Sequence, residues 1–147
     1  IFVETFCGAA GTAQSVQSFG ISAVGFDLFP PARALALQVP VVRADLSRAD
    51  IWDVLDKAAV DGVIGGAQSA PVCTTFCNLR NFLGPGTRTA QRPEGDGTQE
   101  VEVTANWQSG RLAQFNAKVA RSGGGFATEQ PWPGNMFMAG ARVAPRG

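Results

Sequence analysis

Two thiols and one glutamate are the residues of this 147-residue chain whose types invite chemistry. Cys73 and Cys77 stand four apart in APVCTTFCNLR (70–80), and Glu129 sits in FATEQP, the only acidic residue after Glu102. A cysteine directly behind a proline turn can be a nucleophile, half of a metal or redox pair, or a small buried residue. A Cys-x-x-x-Cys spacing with no second pair and no histidine lacks the ligand pattern of a metal site, so no metal is expected. The missing histidine also removes Ser–His–Asp and Cys–His catalysis. Three cysteines make no disulfide framework and point to a reducing compartment. Cys77 reads as a small buried hydrophobe. For Cys73 the residues alone leave nucleophile and structural thiol equally open. Glu129 is either a proton donor or a solvated turn acid.

These side chains need elements to hold them. An apolar fraction of 45% with 16% charge is globular rather than disordered composition, enough for one domain with a core. No apolar run approaches the roughly 20 residues of a membrane helix, so no membrane is expected as a partner. The first part of the chain alternates strand and helix. Strands are expected at 1–6, 22–27, 41–45 and 60–66, with helices over 12–19 and 32–38. A third helix would be capped by Ser47, with Asp50 in the capping box and Ile51, Val54, Leu55 and Ala58 on its apolar face. Residues 81–105 read as a long mobile loop. A helix over 106–120, with Leu112, Phe115 and Val119 on one face, and a strand over 124–131 complete the pattern. Alternation of this kind predicts an α/β fold, a Rossmann-like, mostly parallel sheet with helices on both faces. The whole chain, 1–147, reads as a single domain. With no methionine at Ile1, it is expected to be a fragment or a processed product.

FVETFCGAAG places glycines where the first strand meets the first helix. Backbone can approach a ligand closely there, and the helix start offers free N–H groups. Asp27 ends the second strand, nineteen residues after Gly8, near the roughly 20-residue spacing at which an acid meets a ribose. Asp45 ends the third strand on the same edge.

FVETFCGAAGTA, GFD, AD and VIGGAQSAPVCTTF resemble, in order and spacing, the S-adenosylmethionine-dependent DNA (cytosine-5) methyltransferases. The resemblance spans residues 2–80 and, more loosely, 110–137. It implies S-adenosyl-L-methionine as cofactor, with Phe6, Gly8 and Gly11 at the methionine part, Asp27 on the ribose and Asp45 on the adenine amino group. It implies that Cys73 attacks carbon 6 of cytosine and that Glu129, in the place of the family's Glu-Asn-Val glutamate, assists at the ring nitrogen. Ala10 stands where the family carries glycine, and its methyl is expected to crowd the cofactor. Val72, Gln130 and Pro131 are further departures from the family's turns.

DNA is the partner implied, in an intracellular and, for a DNA substrate, nuclear setting. The charge distribution supplies little grip. Residues 1–61 carry seven acids and four bases, and 62–147 five acids and eight bases, far from a basic stripe. Arg80, Arg88 and Arg92 are the candidates for nucleic-acid contact. No counterpart of the family's target-recognition region is expected within residues 1–147. Two rivals stay open: a catalytically inactive relic acting as a binding or interaction module, and a different Rossmann-type nucleotide enzyme such as a nicotinamide-dependent oxidoreductase. Oligomeric state is not legible.

Overall fold

The computed structural model describes residues 1–32, 38–71, 73–77, 84 and 86–130. Among these the elements run β1 (Phe2–Thr5), α1 (Gly11–Ser18), β2 (Ala23–Asp27), β3 (Val41–Arg43), α2 (Ala49–Val60), β4 (Gly66–Ser69), α3 (Glu100–Arg121) and β5 (Gly125–Thr128). The helix expected over 32–38 falls almost wholly outside the described residues, as does Arg80.

The strands form one sheet in the order β3-β2-β1-β4-β5, every pair parallel. The chain is thus an α/β protein with a Rossmann-like parallel sheet flanked by helices. Its order reverses between β1 and β4, which pair from Phe2↔Gly66 to Thr5↔Ser69. Sheets of this topology bind ligands at the carboxyl ends of the strands at such a reversal.

Two compact units divide the chain. The first takes in Ile1–Ala70 and Phe115–Glu129, and so the entire sheet; the second includes Pro71–Gln114. In the first, Cys7, Ala10, Ala13, Ala23 and Val39 pack together with Phe2, Val16 and Val41 against them. Trp52 is fully buried, its indole N–H donating to the Leu46 carbonyl at 2.9 Å and its ring edge-on to Phe115. Asp56, also buried, pairs with Lys118 at 2.6 Å and ties α2 to the end of α3.

Local readings fail in instructive ways. The buried face of α2 is Trp52, Leu55, Asp56 and Ala59, whereas Val54 is 70% exposed. The helix is turned by one residue from the expected face, because the large indole dominates burial. Ser47 does not cap α2. Its N–H and hydroxyl both donate to Asp45 Oδ1, and Arg48, at the cap position, pairs with Asp50. The strand expected over 60–66 begins only at Gly66, since α2 runs through Val60 and ends in a turn where Gly62 takes φ 72°. Helix α3 starts at Glu100, inside the expected loop. Glu100 and Glu102 lie in its first turn, where negative charge favours a helix start.

Candidate cofactor and catalytic site

The turn between β1 and α1 has an unusual backbone. Phe6, Gly8 and Ala10 all take positive φ, at 55°, 49° and 54°. For a residue with a Cβ this costs about 1–2 kcal/mol, so packing must hold Phe6 and Ala10 there. Phe6 lies against Trp52, ring centroids 6.4 Å apart. Ala10 is completely buried in the core. Its methyl faces β2, where a Cβ built on Gly25 would meet it at 3.5 Å. The expectation that this methyl crowds a ligand is therefore overturned: the alanine supplies core contact at the price of backbone strain.

Two carboxylates lock the turn. Asp27 Oδ2 accepts the Gly8 N–H at 2.9 Å, and its Oδ1 accepts that of Phe29 at 2.9 Å. Glu4, buried within β1, accepts the Ala13 N–H at 2.6 Å and thereby caps α1, which has no local side-chain cap. Burial raises the Glu4 pKa, and its hydrogen bonds to Ala13 and Thr12 only partly oppose that. Sequence reasoning missed Glu4, although an acid inside an apolar strand was the available signal.

A cleft of about 420 Å³ opens at this turn, within the size range of small-molecule sites. Phe6, Gly11, Thr12 and Ser15 line it, with Glu4, Gln68 and Glu129 also on the wall. Glu129 directly follows β5, and its N–H donates to the Ser69 carbonyl at 2.8 Å. Beneath, Thr5 and Ser69 share a buried hydroxyl–hydroxyl bond of 2.6 Å across the sheet reversal. Of the residues singled out from the sequence, Phe6, Gly11 and Glu129 meet in this cleft. Gly8, Asp27 and Asp45 are not on its wall. Asp45 accepts two hydrogen bonds from Ser47, which hold its carboxyl below the usual range and leave it ionised.

Cys7 also reaches the cleft, but as an inert thiol. Burial first, then the charges of Asp27 and Glu4, push its pKa up to about 12. Alkylation of the native chain at neutral pH should modify Cys73 and Cys77, both partly exposed, with Cys7 reacting only in denaturant. Because the folded thiol holds its proton to higher pH than the unfolded one, stability should fall as pH rises from 9 to about 12. Cys7→Ala should flatten that slope; an unchanged slope would rule out Cys7 as its source.

In the second unit, Cys73 opens a tight turn, its carbonyl accepting the N–H groups of Phe76 (2.9 Å) and Cys77 (3.1 Å). The Cys77 thiol is partly exposed and points to the Thr74 carbonyl at 3.6 Å, so it is not the buried hydrophobe expected. A groove of about 350 Å³ lies beside the turn, with Thr74, Thr75, Thr104 and Gln108 on its walls.

Arg88 is a correction. It is 1% exposed, and a guanidinium enclosed by protein is not placed to meet a phosphate from solvent. Arg92 is exposed and keeps that possibility. Beside Arg88, Glu102 is buried and accepts the N–H and hydroxyl of Thr87. Gly95, at φ 81°, leaves the room: a Cβ there would run into the Glu102 carboxylate and the Thr87 hydroxyl. The described part of the expected mobile loop is thus tied to α3.

Among the described residues no group of side chains is arranged to hold a metal ion, and no helix is long and apolar enough to cross a membrane. No protein-family model matches the chain, and no curated protein matches its sequence.

Proposed function

We propose that this chain is an S-adenosylmethionine-binding, cytosine-5-type methyltransferase domain. The observation that carries the reading is the charge of the cleft at the sheet reversal. Among the described residues its wall holds two carboxylates, Glu4 and Glu129, together with an aromatic ring and no Lys or Arg. Two N–H groups at the turn and helix start are already engaged by carboxylates, Gly8 by Asp27 and Ala13 by Glu4. A phosphate there would meet carboxyl oxygens where it needs donors. A cationic ligand meets acceptor oxygens and no like charge on that wall, and the Phe6 ring adds an attractive face for a positive centre. The donor set therefore fits a sulfonium cofactor and argues against the nicotinamide rival.

When bound, that cofactor supplies an electrophilic methyl group. Cys73 Sγ, as thiolate, would add to carbon 6 of cytosine. Electron density then rises at carbon 5, which is otherwise too weak a nucleophile. Asp27 would orient the ribose with the lone pairs its backbone bonds leave free, and ionised Asp45 would accept from the adenine amino group.

Calorimetric titration tests the reading. S-adenosylmethionine is expected to bind the folded chain, NAD to bind at least tenfold more weakly, and Asp27→Ala to lose at least tenfold in affinity by freeing the turn. A folded chain that prefers NAD, or binds neither, would refute it.

A further inference from the structure

We propose that Arg88 is the positioning residue of the Cys73 turn, acting on a substrate base only through the backbone that presents the thiol. The inference rests on the reading of Cys73 as the nucleophile, and every contact it uses lies within the second unit.

Hydrogen bonds to described residues and an aromatic ring hold the guanidinium. Nη1 donates to the Pro93 carbonyl at 2.6 Å and to Asn106 Oδ1 at 2.7 Å. Nη2 donates to the Glu102 carbonyl at 3.1 Å and, at 3.5 Å, to the Thr75 hydroxyl. Its central carbon lies 4.0 Å from the centroid of the Phe76 ring. Thr75 and Phe76 are the second and third residues after Cys73, and the Phe76 N–H is bonded to the Cys73 carbonyl. Arg88 therefore clamps the thiol's own turn to the first turns of α3. Asn106 reinforces the clamp, its amide donating to the Glu94 carbonyl at 2.8 Å.

Only arginine suits the position. A planar fork donates in several in-plane directions while its face stacks on an aromatic ring, whereas an ammonium does one or the other. Addition to carbon 6 needs the sulfur in line with the ring carbon, and a displacement of about 1 Å costs on the order of 100-fold in rate. A group holding that geometry from behind controls the rate without touching the base.

The test uses the full chain and DNA carrying 5-azacytosine, whose carbon 6 accepts a thiolate without methyl transfer. The Sγ–C6 bond forms, the ring's electron pair moves to nitrogen 5, and that nitrogen takes a proton from water. Arg88→Lys and Arg88→Met are compared with wild type for the rate constant of adduct formation and for the DNA concentration at half-saturation. S-adenosylmethionine affinity reports separately on the first unit. We expect Arg88→Lys to lower the rate constant about 100-fold, with half-saturation within twofold and cofactor affinity unchanged. Arg88→Met should be at least as slow. An unchanged rate constant in Arg88→Lys overturns the proposal. So does a rise in half-saturation at constant rate, which would mark a phosphate contact. A wild-type chain that binds the cofactor yet forms no adduct removes the nucleophile reading, and the proposal with it.

Discussion

Gly25→Ala is expected to destabilise the first unit by about 2 kcal/mol and to weaken cofactor binding at least tenfold. A Cβ at position 25 would sit 2.8 Å from Cys7 Sγ and 3.3 Å from Cys7 Cβ, on the side where the Ala10 methyl already lies. Gly25 is inside β2, paired with Glu4 on one side and Val41 on the other, so the strand cannot retreat without breaking its ladders. The turn must move instead, carrying Gly8 and the start of α1 with it. Overpacking of this kind costs about 1–3 kcal/mol.

The cause can be isolated. Cys7→Ala removes the nearest sulfur at a cost of about 1 kcal/mol for the lost burial, and the new methyl at position 25 fills part of that space. The double variant should therefore be more stable than the sum of the single changes by about 1–2 kcal/mol, a coupling expected of residues in contact. Thermal unfolding midpoints and calorimetric affinities of the four chains measure it. Strict additivity would show that the turn does not rest on Gly25 through Cys7.

Cys73→Ser should abolish covalent adduct formation with 5-azacytosine DNA while leaving stability within about 0.5 kcal/mol of wild type. The turn depends on the Cys73 carbonyl, which accepts from Phe76 and Cys77, and the substitution leaves the main chain intact. A serine hydroxyl, unlike a thiol, is not appreciably ionised near neutral pH and is a poor nucleophile without a base. Cys77→Ser, four residues on, should keep the adduct. Equal adduct from Cys73→Ser and wild type would assign the chemistry elsewhere and leave Cys73 as a structural thiol.

Much of the scaffold was legible beforehand because period and turn chemistry are local. β1, α1 and β2 lie close to where apolar runs and Gly20 put them, and Leu112, Phe115 and Val119 are all buried. The misread features turn on competition between side chains. Trp52 outranks Ile51 and Val54 for the buried face of α2, and Asp45 takes the Ser47 hydroxyl that was expected to cap the helix. Neither contest is visible in spacing alone, because each depends on which group reaches its partner in three dimensions.

The candidate site divides along the same line. Residue order along the chain was sufficient to place Gly8 in the turn after β1, Gly11 at the start of α1, Asp27 at the end of β2 and Glu129 just past β5, since strand ends follow from local pattern. Three things came only from the tertiary structure. Asp27 accepts the Gly8 N–H and Glu4 that of Ala13, the Ala10 methyl faces the core, and Arg88 is buried beside the Cys73 turn. Each depends on residues distant in sequence meeting across the fold, Gly8 with Asp27, Ala10 with Gly25, Arg88 with Asn106. A one-dimensional pattern records which side chains are available; packing decides which of them are already satisfied, and so which are left to meet a ligand.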